Sequence, residues 1–562
     1  MIRRWLWTAG WCAVIAGATA TRGAAETPKP LGPPAAVRDA DALAAWIDQQ
    51  FAVDWQANHV TPAPAADDAE FLRRVYLDLV GRIPMVSEAQ QFLADKKPNK
   101  RRQLVEDLLG RPGYVNHFTS VWRSLLLPEA DANVQGRALT PSFEAWLRKD
   151  LTKNAGYDQM VRELLTAPIG QGGPRGIAVN GLALNGDDSP SAFYFAKEFK
   201  PENIGGATAR LFLGVKIECA QCHNHPFGDW KREQFWSYAA FFAGIQGQQR
   251  GNVVAGASED MSKHELTIPT LNKTVQAAFL DGKKPDWSAQ PNGREALADW
   301  MTASDNPYFA RAAVNRMWYY FLGAGLTDPV DELAGGQGVA SHPEILDELA
   351  RQFIAHKYDL KYLMRAVTAT RVYQLGSVRT DAGQEDPRRF ARMPLRGMTP
   401  EQLFDSVAEA VYFPLEGRGN DLSPFVVVVG GNGSPREEFR TKFARGNDRP
   451  TETQTSILQA LTLMNGKMVG DATSLENSEL LAAVSDSPFM DTKERIETLY
   501  LATLTRKPTE KELTRLTAYV DGGGAHADEK PASGEAKQKR YREALADVFW
   551  ALLNSGEFYL NH

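Results

Sequence analysis

The sequence predicts a mainly α protein: two helical domains joined by a small β-containing segment. Three observations carry this. Apolar side chains recur at helical spacing along most of the chain, as in Leu43, Trp46, Ile47 and Phe51. Residues 246–290 break that spacing with glycine-rich sequence and two short runs, 264–268 and 274–279, in which apolar and polar side chains partly alternate, the pattern of a β-hairpin or small sheet. Helical spacing then returns near Arg294 and continues towards residue 555. A chain of 562 residues is also too long for one compact core.

Taken in order, residues 1–25 read as a secretory signal peptide. Arg3 and Arg4 give a positive start, Trp5 to Ala18 is apolar, and small residues cluster at Ala18-Thr19-Ala20 and Gly23-Ala24-Ala25. The apolar run is short for a membrane span, which needs about 20 residues. Residues 26–38, rich in Pro and Ala, form a linker.

Residues 39–245 form the first helical domain. Asp68 is placed to cap one helix and Ser87 the next. Further helices are predicted over 114–127, 143–151 and 201–215, and an aromatic helix over 229–245. Residues 168–190 are glycine-rich without a period, a long loop of the kind that often carries function. Residues 246–292 are the β-containing link. Residues 293–562 form the second helical domain, with helices over 311–321, 343–356, 360–370, 400–411, 456–465, 493–504, 510–520 and 541–555 and a disordered loop over 521–537.

Apolar residues make up 43% and charged residues 23%, the values of a soluble globular protein. The net charge of −6, from 63 basic and 69 acidic side chains, excludes a general nucleic-acid binder, which needs a basic surface. No segment after the signal is long and apolar enough to span a bilayer. Of the three cysteines, Cys12 leaves with the signal peptide. One remaining pair, Cys219 and Cys222, is no disulfide scaffold for an exported chain of this size.

That pair lies in Cys219-Ala-Gln-Cys222-His223, the attachment pattern for c-type haem. Two thiols three positions apart reach the two vinyl groups of one porphyrin, and the adjacent histidine supplies the proximal imidazole. Attachment takes place outside the cytoplasm, which the signal peptide satisfies. Two other readings stay open. The cysteines can form a short-loop disulfide, or Cys219, Cys222, His223 and His225 can bind zinc, although zinc ligands normally come in two separated pairs.

His225 exceeds what haem attachment requires. It is a candidate partner for a propionate or for His223, and Asp229 is a candidate for the same supporting role, although an N-cap for the following helix explains Asp229 better. The distal ligand is unknown; Met261 and His264 are near in sequence and read better as ordinary surface or core residues. Phe227, Trp230, Phe235, Trp236, Tyr238, Phe241 and Phe242 follow the motif, fit either to wall a haem crevice or to pack a core. Val426 to Ser434 reads as a strand and turn without the lysine of a phosphate loop. The arginines of 436–449 could meet an anionic group such as a sulfated sugar, or pair with neighbouring acids.

The motif has a wider frame. Glu70-Phe-Leu-Arg-Arg-Val-Tyr-Leu-Asp-Leu-Val-Gly-Arg-Ile-Pro84 resembles the opening of the large planctomycete-type cytochrome c-like domain, PSCyt-two, as does Phe212-Leu-Gly-Val215 leading into the cysteine motif. Asn306-Pro-Tyr-Phe-Ala-Arg311, Val314-Asn-Arg-Met-Trp318, His342-Pro-Glu344, Leu499-Tyr-Leu-Ala-Thr-Leu504 and Trp550 to Phe558 resemble its usual companion, the PSD-one domain. Both are domains of unknown function, and the resemblance implies haem only through the same Cys-x-x-Cys-His. Many such relatives carry an additional small cytochrome domain; this sequence has no second motif, so electron exchange would need a separate partner protein. The reading is therefore an exported, periplasmic or extracellular c-type haem protein transferring one electron. The alternative is a non-redox cell-surface binding or scaffold protein, for polysaccharide or protein, whose cysteines form a disulfide or metal clip.

Overall fold

Short polar side chains start many of the helices by accepting hydrogen bonds from first-turn amides that have no partner within the helix. Asp39 does so from Ala42 at the head of α1 (Ala40–Ala57). Asp67, not the expected Asp68, does so from Ala69 and Glu70 at the head of α2 (Asp68–Val80). The next helix, α3 (Val86–Ala94), starts one residue before the expected cap Ser87; Glu88 closes its first turn by accepting from the Met85 amide at 2.9 Å.

The structure, a computed structural model, describes residues 28–129, 134–169, 188–226, 228–250, 253–334, 338–412, 473–475, 478–526 and 534–562. The expectations for the signal peptide, the centre of the 168–190 loop, 426–434, 436–449 and the 456–465 helix lie outside the described residues.

The fold is mainly α. Helices α4 (Lys100–Gly110), α5 (Pro112–Leu126), α6 (Val134–Lys153), α7 (Tyr157–Leu165), α8 (Ala192–Ala196), α9 (Pro201–Leu213) and α10 (Arg232–Ala239) complete the first half. Two antiparallel hairpins follow: β1 (Ile245–Arg250) with β2 (Val253–Glu259), and β3 (Glu265–Ile268) with β4 (Lys273–Gln276). The second falls where the alternation placed a hairpin; the first occupies the glycine-rich stretch before it, where no alternation marked it.

The second half begins with α11 (Gly293–Thr302), α12 (Phe309–Leu322), α13 (Pro343–Ala355), α14 (Leu360–Ala369) and α15 (Pro400–Val411). It ends with α16 (Glu479–Asp486), α17 (Thr492–Leu504), α18 (Glu510–Asp521), α19 (Glu535–Leu553) and α20 (Gly556–Tyr559). Among the described residues no helix is long and apolar enough to cross a membrane.

The buried apolar side chains fall into two clusters. The larger runs from Leu31 to Met393, with Leu501, and takes in both sides of the hairpin segment. Trp318 of α12 is fully buried within it, 5.9 Å from the ring of Phe51 on α1 and 5.6 Å from Phe390. The smaller cluster gathers Met398 to Tyr559 and adds Leu77 of α2 and Ile83. Helix α2 therefore faces both.

A buried carboxyl makes the stability of the helix packing depend on pH. Asp150 on α6 is 2% exposed. Burial above all, and then the Glu163 carboxylate of α7, pushes its pKa from 3.8 up to about 7, against the weaker pull of Lys149 and Lys153. The folded chain thus holds this proton more tightly than the unfolded one. The stabilisation is complete below the unfolded value and is lost as pH rises through about 7. Asp150→Asn is expected to raise the melting temperature above that of the parent at about pH 8 and to match it at about pH 4. A gap independent of pH would contradict this.

Candidate functional site

The cysteine motif is reached through a sharp exit from α9. Gly214 has φ +62°, a left-handed conformation that glycine adopts without steric cost, and its amide donates to the Ala209 carbonyl. A Cβ at Gly214 would stand 2.7 Å from Leu333 Cδ1. The neighbouring backbones join here: the Leu333 amide donates to the Gly214 carbonyl at 2.8 Å, and Val215 pairs antiparallel with Glu332.

The chain then makes one 3-10 turn over Glu218–Gln221. Glu218 leans back on α9, with Oε1 3.0 Å from Arg210 Nε. Gly206 permits this approach, since a Cβ there would meet Glu218 Cγ at 2.8 Å. Burial raises the Glu218 carboxyl above its ordinary pKa, against the pull of Arg210. Ala220 is fully buried and anchors the turn, while Cys219 and Cys222 are both exposed. Cys219 lies within the turn and Cys222 caps its end.

The turn is held by side chains from α10. The Gln221 carbonyl accepts from Trp236 Nε1 at 3.1 Å and Arg232 Nε at 3.2 Å. The Asn224 side-chain oxygen accepts from the Arg232 amide at 3.0 Å. Arg232 also donates to the Pro269 carbonyl at 2.7 Å, tying the β3–β4 hairpin to the motif. The loop closes where the His225 amide donates to the Trp230 carbonyl at 2.8 Å, and Trp230 Nε1 donates to the Ala334 carbonyl at 3.3 Å.

His223 is exposed, with Nδ1 2.7 Å from the Asn224 carbonyl. A carbonyl only accepts, so Nδ1 carries the proton and Nε2 carries the lone pair. That is the tautomer of a metal-ligating histidine oriented by a backbone carbonyl.

The other candidates fall elsewhere. His225 is half-buried; burial, with Lys216 and His223 in support, lowers its pKa, and Glu332 opposes them. Asp229 is not the N-cap of α10, which starts at Arg232 with Lys231 before it. The pairing of His225 with Trp230 delays the helix. The imidazole of His264 stacks on Trp287 at 3.7 Å, and its Nε2 donates to the Pro291 and Met261 carbonyls, so it is committed to structure. Met261 is 41% exposed, with its sulfur 3.9 Å from Asn292 Nδ2. Trp230, Phe235, Trp236, Tyr238, Phe241 and Phe242 are buried in the larger cluster, and Phe227 lies outside the described residues. Of the six, Trp236 holds the turn directly, through the Gln221 carbonyl. Asn224, Gln221 and Arg232 escaped sequence reasoning, because a supporting backbone carbonyl leaves no side-chain signal.

Among the described residues no group of three or more His, Cys, Asp or Glu is placed to hold a metal ion, so Cys219, Cys222, His223 and His225 are not gathered into a zinc site. A covalently held haem would call on a different set: the two exposed thiols of Cys219 and Cys222 and, next in sequence, the imidazole of His223, whose Nε2 is its lone-pair atom in the neutral ring. A cavity lined by Trp122, Trp146, Tyr157 and Phe212 has about 10 Å³ of free space. That is about the room one water needs, too little for a metabolite.

Fold and site together define a mainly helical protein that displays a Cys-x-x-Cys-His turn on its surface. Residues 46–247 match the PSCyt2 family, described as a protein of unknown function (DUF1549). Residues 293–419 and 437–520 match PSD1, also described as a protein of unknown function (DUF1553). The chain thus carries a PSCyt2 match followed by a PSD1 match, in that order. No curated protein and no solved structure matches it.

Proposed function

We propose that the chain is an exported c-type haem protein, periplasmic or extracellular, that transfers one electron to or from a separate partner protein. The observation that carries this is the Cys219–His223 segment itself: both cysteines are exposed, one in the 3-10 turn and one at its end, and His223 is oriented by its Nδ1–H bond to the Asn224 carbonyl. Bound haem supplies an iron that cycles between the ferric and ferrous states. Cys219 and Cys222 would hold the porphyrin through thioethers, and His223 Nε2 would be the proximal ligand. Arg232 and Trp236 keep the turn in register through the Gln221 carbonyl.

Because Cys219, Cys222 and His223 are exposed while the aromatic side chains that follow are buried, water reaches this surface. Solvent exposure favours the more charged ferric state, so the reduction potential is expected at the low end for a histidine-ligated c-type haem.

The test is periplasmic expression of the full chain with c-type maturation factors, followed by a haem stain of the denatured protein. Retained stain supports the reading. A well-folded chain with no stain contradicts it and leaves the cysteine pair as a disulfide clip. His223→Ala is expected to keep the stain, since both thioethers remain, but to lose the imidazole signature from the visible spectrum. Added imidazole should restore it. A spectrum unchanged by the substitution would remove His223 from the iron.

A further inference from the structure

The second domain reaches the cysteine turn from behind, through a relay that starts on α12. Asn315 and Arg316 are neighbours on that helix, and both are buried. Asn315 grips the following loop: its Nδ2 donates to the Thr327 carbonyl at 2.8 Å, and its Oδ1 accepts from the Thr327 amide at 3.0 Å. Arg316 Nη2 donates to Asp331 Oδ1 at 2.6 Å on the same loop. The same nitrogen lies 3.3 Å from the carbonyls of both Arg210 and Leu211, in the last turn of α9.

The loop continues directly into the residues that hold the motif. Glu332 pairs with Val215, the Leu333 amide bonds the Gly214 carbonyl, and the Ala334 carbonyl accepts from Trp230. Arg210, whose carbonyl Arg316 approaches, also carries the ion pair to Glu218 beside Cys219. One guanidinium therefore touches both strands of the junction from which the cysteine turn springs. An apolar side chain would fill the position at a lower desolvation cost, but it could not bridge a carboxylate and two helix-end carbonyls.

We infer that Arg316, acting through Asp331 and the end of α9, is a positioning residue for the Cys219–His223 turn, so that the second domain completes the attachment site carried by the first. This rests on the haem reading only for its consequence, the yield of attachment; the geometry stands without it.

The test uses the full chain and three variants: Arg316→Met, the isosteric Asp331→Asn, and Leu545→Ala as a control in the smaller cluster, away from this junction. Amide hydrogen exchange over residues 214–222 of the haem-free protein is measured at a pH where exchange reports local opening. Loss of a buried charge partner is expected to speed exchange there by about tenfold in Arg316→Met and Asp331→Asn, and not in Leu545→Ala. With maturation factors, haem yield should fall in the same two variants and hold in the control.

Exchange over 214–222 that is unchanged in Asp331→Asn, or that rises equally in Leu545→Ala, overturns the inference. So does full haem yield in Asp331→Asn. Should Arg316→Met fail to fold, Asp331→Asn decides. Should the parent take no haem, the haem reading falls, and hydrogen exchange still decides whether Arg316 positions the turn.

Discussion

Replacing Cys219 and Cys222 together by serine is expected to abolish covalent haem while leaving the fold in place. Both side chains are exposed, and the turn is held by Ala220, by the Gln221 carbonyl and by the backbone pairing at Val215, none of which involves a thiol. Surface substitutions of this kind change stability by about 0.5 kcal/mol or less. The measurable result is a haem stain present in the parent and lost in the variant, with superimposable far-ultraviolet circular dichroism and unfolding curves. A variant that loses haem and also unfolds would show that the cysteines serve the fold, as a clip would. A variant that keeps the stain would place the attachment elsewhere.

The largest effect on stability is expected at Asp78. Its carboxylate is 1% exposed. It accepts two hydrogen bonds from Arg396 Nη2 at 2.9 and 3.0 Å, one from the Tyr373 hydroxyl at 2.8 Å and one from Asn561 Nδ2 at 2.7 Å. The Tyr320 hydroxyl donates to its backbone carbonyl at 2.9 Å. Asp78→Ala leaves the largely buried Arg396 guanidinium, whose side chain is 14% exposed, without its carboxylate and strips three buried donors of their acceptor, which costs about 3–5 kcal/mol. Lys273→Ala, by contrast, breaks an exposed pair with Glu233 and is expected to cost less than about 1 kcal/mol. Urea denaturation of the parent and both variants gives the comparison. Equal, small losses in the two would contradict the account of Asp78.

Asp78 also explains how the two matched regions hold together. Its neighbours on α2, Arg73 and Arg74, are as deeply buried. Arg73 donates to the Phe558 carbonyl at 2.6 Å and the Thr503 carbonyl at 2.9 Å, and Arg74 donates to the His562 carbonyl at 3.1 Å. Helix α2 of the first matched region is therefore the seat both of Thr503, inside the second, and of residues 558–562, which follow it, and strand β6 (Leu560–Asn561) pairs with β5 (Arg396–Gly397) beside it. Parent unfolding in one cooperative step is expected from this sharing.

The sequence carried the helices, the hairpin segment and the cysteine motif, because each rests on local signals: apolar period, alternation, and the spacing of two thiols before a histidine. It did not carry the meaning of the charges. In residues 70–79 the apolar period assigns Phe71, Val75 and Leu79 to a core face and leaves Arg73, Arg74 and Asp78 for solvent. Apart from the local pair of Arg74 with Glu70, their partners lie at residues 373, 396, 503 and 557–562, far along the chain, where no local window of sequence reaches them. Arg316 was hidden in the same way behind Asp331 and the end of α9. The cap assigned to Asp229 failed because a backbone bond between His225 and Trp230 delays the helix. The aromatic residues after the motif offered two compatible readings, crevice and core; six of them are buried in the core.

The most direct test of the central claim is the intact mass of the mature protein, purified from a periplasm supplied with c-type maturation factors and measured under denaturing conditions. The account predicts a chain heavier by one haem, with the addition lost in the double serine variant. A chain at its unmodified mass, or one lighter only by the two thiol hydrogens of a disulfide, would contradict it.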